Sequence, residues 1–171
     1  MIQVVDYDAS WPARFADERE RLRTVLGDAA CRIEHVGSTS VTGLAAKPVI
    51  DILVGTDDLA RLDRLDAAME AAGYQVRGEN GIAGRRYYRR HAPDGTRLVH
   101  VHAFLENSED FSRHLVFRDY LRAHPVEAGA YGRLKLAMAI SASNREAYQA
   151  GKSTWIGHAE RRALTWSGIV C

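Results

Sequence analysis

The order of periodicities along the chain predicts a mixed fold, α+β or α/β rather than all-α, with a mixed sheet built early and helices added late. Before residue 110, short apolar or alternating runs bounded by turn residues read as strands; beyond it strand signals vanish and helical spacing takes over. A single domain spanning 1–171 accounts for the length, which buries a core without metal or disulfide staples.

The elements follow in order. After a short apolar start, Ile2 to Val5, Ser10 and Pro12 mark a helix entry, Ser10 as N-cap and Pro12 in the first turn. The helix over 12–26 sets Phe15, Leu22 and Leu26 on one side and the charged stretch ADERERLR on the other, and Gly27 ends it. Residues 33–36 and 49–54 read as strands, the second apolar enough to be central in its sheet. Thr56-Asp57-Asp58 opens a second amphipathic helix with Leu59, Leu62, Leu65 and Met69 as its stripe, closed by Gly73. Strands then follow at 74–76, 85–90 and 97–104, the last two joined by the turn Ala92-Pro93-Asp94-Gly95. Helices are expected at about 110–123, 126–141 and 144–166, with His124-Pro125 stopping the first.

Composition narrows the function classes. Lys+Arg of 23 against Asp+Glu of 22 gives a formal net charge of +1, which argues against a protein dedicated to coating nucleic acid. No apolar run approaches the length of a membrane span, and MIQVVDYDASWPARF lacks the layout of a signal peptide. The two cysteines, Cys31 and Cys171, sit where a structural disulfide is not expected, so a reducing cytoplasm is the expected location.

The stretch IEHVGSTSVTGLAAKPVIDILVG holds the densest chemistry. Gly37-Ser38-Thr39-Ser40 forms a loop of small and hydroxylated residues, and Asp51 is a lone carboxylate on an apolar strand. A Gly-Ser turn followed by a carboxylate-bearing strand is the order used by nucleotidyltransferases. There, backbone N–H groups and a hydroxyl approach phosphate, and strand carboxylates hold divalent metal. The wider stretches VVDYDASWPARFADERERL, IEHVGSTSVTGLAAKPVIDILV, HVHAF, FRDYLRAHP and YGRLKLAMA together resemble the GrpB family, from Val4 to about Trp166, with GSTSVTGLAAKPVID the most specific part. That resemblance implies an α+β, nucleotidyltransferase-like fold with a C-terminal helical segment, and a relative of a domain found fused to some bacterial dephospho-CoA kinases.

One position departs from the active pattern of the superfamily. Where Asp-x-Asp or Asp-x-Glu is usual, this strand reads Asp51-Ile52-Leu53, and Ile52 and Val54 point to the other face. A two-metal site lacks a ligand here. His100-Val101-His102 offers a substitute, since the two imidazoles share one face; beside the Asp51 strand they would complete a two-His, one-carboxylate site. That donor set suits Zn, Mn or Fe better than Mg, although the residues do not settle the metal. His35, one strand over, is a candidate to join or orient the set.

The remaining candidates carry two readings each. Gly37, Ser38, Thr39 and Ser40 serve as turn formers and caps or as anion ligands, because the same geometry serves both. Lys47 covers a phosphate or solvates its loop. In RRYYRR, alternation puts Arg86, Tyr88 and Arg90 on one face, either as a charged edge strand or as a surface stacking a base on Tyr88 and pairing its phosphates with Arg86. The resemblance places Lys135, in Tyr-x-x-Leu-Lys, and Lys152, four after Tyr148, at recurrent positions, where polymerase-like folds supply basic groups to a triphosphate. The first expectation is a metal-dependent enzyme moving a nucleotidyl or related group from a nucleoside triphosphate, with Asp51, Ser38 and Lys47 catalytic. The alternatives are a non-catalytic nucleotide or phosphometabolite binder, and a single-metal biosynthetic enzyme acting on a small molecule without nucleotide.

Overall fold

The computed structural model describes residues 3–141 and 145–168. Helix α1 (Trp11–Leu26) leads into strand β1 (Arg32–Val36), then a 3-10 turn over Ser38–Ser40 and strand β2 (Ile50–Thr56). Short helices α2 (Leu59–Asp63) and α3 (Asp66–Ala71) precede strands β3 (Tyr74–Val76), β4 (Arg86–His91) and β5 (Arg97–Leu105). Helices α4 (Glu109–Ala123), α5 (Pro125–Ser141) and α6 (Arg145–Trp166) complete the chain. The fold is α+β: one five-stranded sheet in the order β1-β2-β5-β4-β3, with helices following it. Only β2 and β5 pair in parallel; the other neighbours are antiparallel, so the sheet is mixed.

The two faces of the sheet differ. On one, Ile50, Ile52, Val54, Val99, Val101 and Tyr88 pack against Trp11, Leu22 and Leu26 of α1 and Leu62 and Met69 of α2 and α3. Burying a side chain of this size contributes about 1.5–3 kcal/mol, so this layer holds the sheet to its helices. The other face is apolar only at one end, where Val36, Leu53 and Phe104 meet Phe111 of α4. The remainder of that face carries polar side chains.

A charge crosses the main core. Glu18, 3% exposed, accepts hydrogen bonds from the Tyr74 hydroxyl and from both sides of the Arg90 guanidinium, with Arg90 Nε at 2.8 Å. Pairing is what makes a carboxylate tolerable there. Helices α4, α5 and α6 share a separate cluster with the loop after the 3-10 turn, through Val41, Leu44, Tyr120, Leu121, Tyr131 and Ala163.

Two expectations need amendment. The helix predicted from Leu59 to Met69 is two pieces, because the Leu65 amide bonds Leu62 O, three residues back, and tightens the turn. Leu62 and Met69 are both fully buried all the same. Ser10 does occupy the N-cap of α1, but its hydroxyl makes no cap bond; its amide instead donates to Asp8 Oδ1 at 2.8 Å. Among the described residues, no helix is long and apolar enough to cross a membrane.

Candidate functional site

The parallel register of β2 and β5 sets Asp51 beside His100 and Leu53 beside His102. All four side chains lie on the sheet face away from α1, since strand residues two apart point the same way. Asp51 Oδ1 is 3.0 Å from His100 Nδ1 and 3.9 Å from His102 Nε2, and one donor atom from each of the three residues falls within 4.8 Å of the others. Burial opposes ionisation of Asp51, but the hydrogen bonds from His100 and His102 and their electrostatic attraction outweigh it and hold the carboxyl well below the usual carboxylate range.

These groups sit in a cleft of about 760 Å³. Asp51 is the only carboxylate among its described lining residues, whereas Lys47, Arg89, Arg97 and Lys135 all contribute to its wall. The Gly37–Ser38–Thr39 turn, against which Asp51 packs, lines the same cleft. Lys135, only 3% exposed, reaches across from α5 to donate to Ser38 Oγ at 2.7 Å, with its ammonium 4.3 Å from the Tyr131 ring centroid. Of the turn's amides, Ser40's is taken by Gly37 O at 3.2 Å, so the turn can offer an anion at most those of Ser38 and Thr39.

Several predicted residues lie elsewhere. Arg86 and Tyr88 point to the α1 face of the sheet: Arg86 clamps Asp63, with Nη2 to Oδ2 at 2.8 Å, and Tyr88 is 1% exposed in the core. Pairing of Tyr87 with His102 and of Arg89 with His100 sends the alternate pair into the cleft instead. His35 also faces away from Asp51, bonding Thr39 Oγ1 at 2.9 Å and stacking on Phe15 at 4.7 Å. Ser40 turns its side chain to Gly37 O and lines a different cleft. The Lys152 side chain lies outside the described residues. Residues that the sequence reading passed over include His114, whose Nδ1 lies 2.6 Å from Asp110 O and whose ring packs on His102 and Phe104. Its only sequence signal is helical phase, which does not tell a cleft-facing residue from a core one.

The donor set fits one first-row cation. Ligands on one four-coordinate ion at about 2.0–2.1 Å lie roughly 3.3 Å apart, close to the Asp51–His100 separation and about half an ångström under the Asp51–His102 one. One contact runs against it. Arg85 Nη1 lies 3.4 Å from His102 Nδ1, and a guanidinium only donates, so it favours the tautomer with hydrogen on Nε2. Ligation through Nε2 therefore needs Arg85 to turn aside.

Behind the turn, burial pushes His35 down to about 4; the nearby charges of Arg122 and Arg118 act in the same direction, partly opposed by Asp51. The folded chain then holds His35 neutral while the unfolded chain, titrating near the ordinary value of about 6.5, binds the extra proton. Stability from this group is complete above about pH 6.5 and is lost as pH falls toward 4, by on the order of 3 kcal/mol at 1.36 kcal/mol per unit. Urea unfolding at pH 7 and pH 4.5 is expected to show a smaller pH difference for His35→Gln than for the wild type. An equal difference in the two proteins would rule out His35 as its source.

Comparisons with known proteins place the chain in a family. A model described as "GrpB protein" matches residues 1–162. The UPF0157 protein YqkA of Bacillus subtilis (strain 168) is 40% identical over 166 residues, 96% of this chain and 48% of that protein. A UPF0157 protein of Pseudomonas aeruginosa is 41% identical over 95% of this chain and 68% of its own length. The dephospho-CoA kinase of Mycolicibacterium paratuberculosis is 32% identical over 97% of this chain and 47% of that enzyme. The chain thus spans about half the length of the Bacillus relative and of the kinase. Among solved structures, GrpB from Enterococcus faecalis superposes with a TM-score of 0.91 at 38% identity, covering 96% of this chain and 99% of that one. With the family model spanning nearly its whole length and a full-length structural match at this identity, the chain belongs to the GrpB family.

Proposed function

We propose that the chain is a single-metal enzyme of nucleotidyltransferase-like type acting on a phosphorylated substrate, with a nucleoside triphosphate as the leading candidate. The observation that carries this reading is the convergence of Asp51, His100 and His102 in a cleft whose other charged walls are cationic. Those three residues would hold the ion, which supplies Lewis-acid polarisation of a phosphoryl oxygen. Ser38 and the Lys135 ammonium beside it form one contact for phosphate. Lys47, Arg89 and Arg97 offset the charge that a polyphosphate brings into the cleft.

A non-catalytic binder is the second reading, favoured by one observation. Leu53, at the position of the usual second carboxylate, is fully buried against Val36, Phe104 and Phe111, so no ligand for a second ion can come from there.

Metal analysis of the purified protein combined with thermal unfolding in the presence of ATP and its hydrolysed products separates the two. The enzyme reading expects about one transition-metal ion per chain and ATP turnover that depends on it. A ligand at a hundred times its dissociation constant adds about 2.7 kcal/mol of stability. Stabilisation by ATP without metal or turnover would promote the binder, and no stabilisation at all would remove both.

A further inference from the structure

A second cleft, of about 980 Å³, lies on the reverse side of the Gly37–Ser40 turn, bounded by α1, the edge strand β1 and the corner between α4 and α5. Its size is that of a small-molecule site. The charged lining is five arginines, Arg19, Arg23, Arg32, Arg118 and Arg122, against one carboxylate, Glu34.

The carboxylates that reach this wall are already shared out. Arg118 donates to Glu34 Oε2 and Asp119 Oδ1, each at 2.8 Å, and Arg32 donates to Glu34 Oε1 at 2.9 Å. Arg23 donates to Glu20 at 2.9 Å. Arg122 instead gives Nε and Nη2 to a neutral acceptor, Ser40 O, at 3.0 and 2.9 Å. Its ion-pair contact, Asp119 Oδ1, is 3.8 Å away and is the oxygen that Arg118 holds. Burial first, and then the charge of Arg118, push the Arg122 guanidinium down from its ordinary value, as expected for a cation short of counter-charge. On the α1 side, Arg19 Nε is buried without a hydrogen-bond partner among the described residues; its guanidinium lies 5.7 Å from the Phe15 ring centroid, and its ion-pair contact, Glu20 Oε1 at 3.6 Å, is the oxygen that Arg23 holds. Phe15 and Leu121 contribute apolar surface to the same lining.

We propose that this cleft is a second ligand site, distinct from the Asp51 cleft, for a phosphate monoester carrying an apolar or aromatic body. Two guanidinium groups short of counter-charge match the two negative charges of such a group, and Arg presents paired donors to its oxygens. The body packs on Phe15 and Leu121. Neither the metal ligands nor the Lys135–Ser38 contact takes part, so the site stands or falls separately from the function proposed above.

The test uses phenyl phosphate and inorganic phosphate as probes, titrated calorimetrically into the whole protein. Phenyl phosphate is expected to bind saturably and more tightly than inorganic phosphate. Arg19→Gln and Arg122→Gln are each expected to weaken it about 10- to 100-fold, the worth of a charge-assisted hydrogen bond, while Arg77→Gln, exposed and in neither cleft, leaves it unchanged. Arg122 also holds Ser40 O, so Arg19→Gln, whose unfolding midpoint should match the wild type, is the decisive variant. Absence of saturable binding, or binding kept on Arg19→Gln or weakened as much by Arg77→Gln, would overturn the site. Equal affinity for the two probes would overturn the apolar subsite.

Discussion

Gly37→Ala is expected to destabilise the fold by about 2–6 kcal/mol and to disorganise the candidate metal site at the same time. Gly37 has φ of +68° and ψ of −172°, a region essentially reserved for glycine, which a side chain adopts at a cost of roughly 1–3 kcal/mol. A Cβ built there would stand 2.6 Å from Asp51 Oδ2, 3.0 Å from Asp51 Cβ and 3.2 Å from Asp51 Cγ. The carboxylate oxygen could swing away, but Asp51 Cβ is fixed to β2, so backbone or strand must yield; overpacking of this kind adds typically 1–3 kcal/mol. Rotating the carboxylate also breaks its 3.0 Å contact with His100. Chemical denaturation of the variant, compared with Gly43→Ala, checks the prediction. Gly43 also has a positive φ, of +79°, but an added Cβ there meets nothing within 4 Å, so it reports the cost of a side chain at positive φ without a steric contact. Equal losses in the two variants would show that contact with Asp51 contributes nothing.

The same glycine shows what was legible in the sequence. Two strands with a Gly-Ser turn between them can be read from residue types alone, and so can a lone carboxylate on the second. Parity is equally local: His100 and His102 share a face whatever surrounds them. Their meeting with Asp51 required only that β5 pair with β2 in a register placing Asp51 beside His100, and the sheet does so.

What the sequence does not encode locally is which face of a strand turns to which layer. RRYYRR separates cleanly into two sets, yet nothing within it tells whether Tyr87 or Tyr88 meets the histidines. The register between β4 and β5 decides it, and that register is set by residues far along the chain. His35 falls on the reverse side by one residue of phase at the end of β1, and Ser40 does so because the 3-10 turn directs its hydroxyl back to Gly37 O. Lys135 reaches Ser38 over a separation of 97 residues, a contact fixed by how α5 packs on the turn rather than by any local pattern. The helix break at Leu65 contains neither Gly nor Pro, so propensity gives no warning of it.

Asp51→Asn is the substitution with the largest expected effect on the site. An amide keeps the volume of the carboxylate but carries no charge, and its oxygen is a far weaker ligand for a first-row cation. Loss of one of three protein ligands, the only anionic one, is expected to lower metal affinity by at least 100-fold, more than second-shell changes of about 10- to 100-fold cause. Stability has two opposing contributions. The contact to His100 Nδ1 survives, because the Asn oxygen still accepts, so no buried donor is stranded. The carboxyl held below its usual range contributes stability that is present above about pH 4 and is lost as pH falls through the lowered value. Removing it should therefore flatten the acid limb of the stability profile and leave the fold intact at neutral pH. Metal content after dialysis against zinc or manganese, with unfolding curves at pH 7 and pH 3, reads both effects. Full metal content in the variant would exclude Asp51 as a ligand; a steeper acid limb would mean that the carboxylate is not stabilised by its histidines. The combination of lost metal and retained fold is the outcome that distinguishes a functional carboxylate from one that only ties two strands together, because a purely structural Asp51 would change stability without any metal to lose.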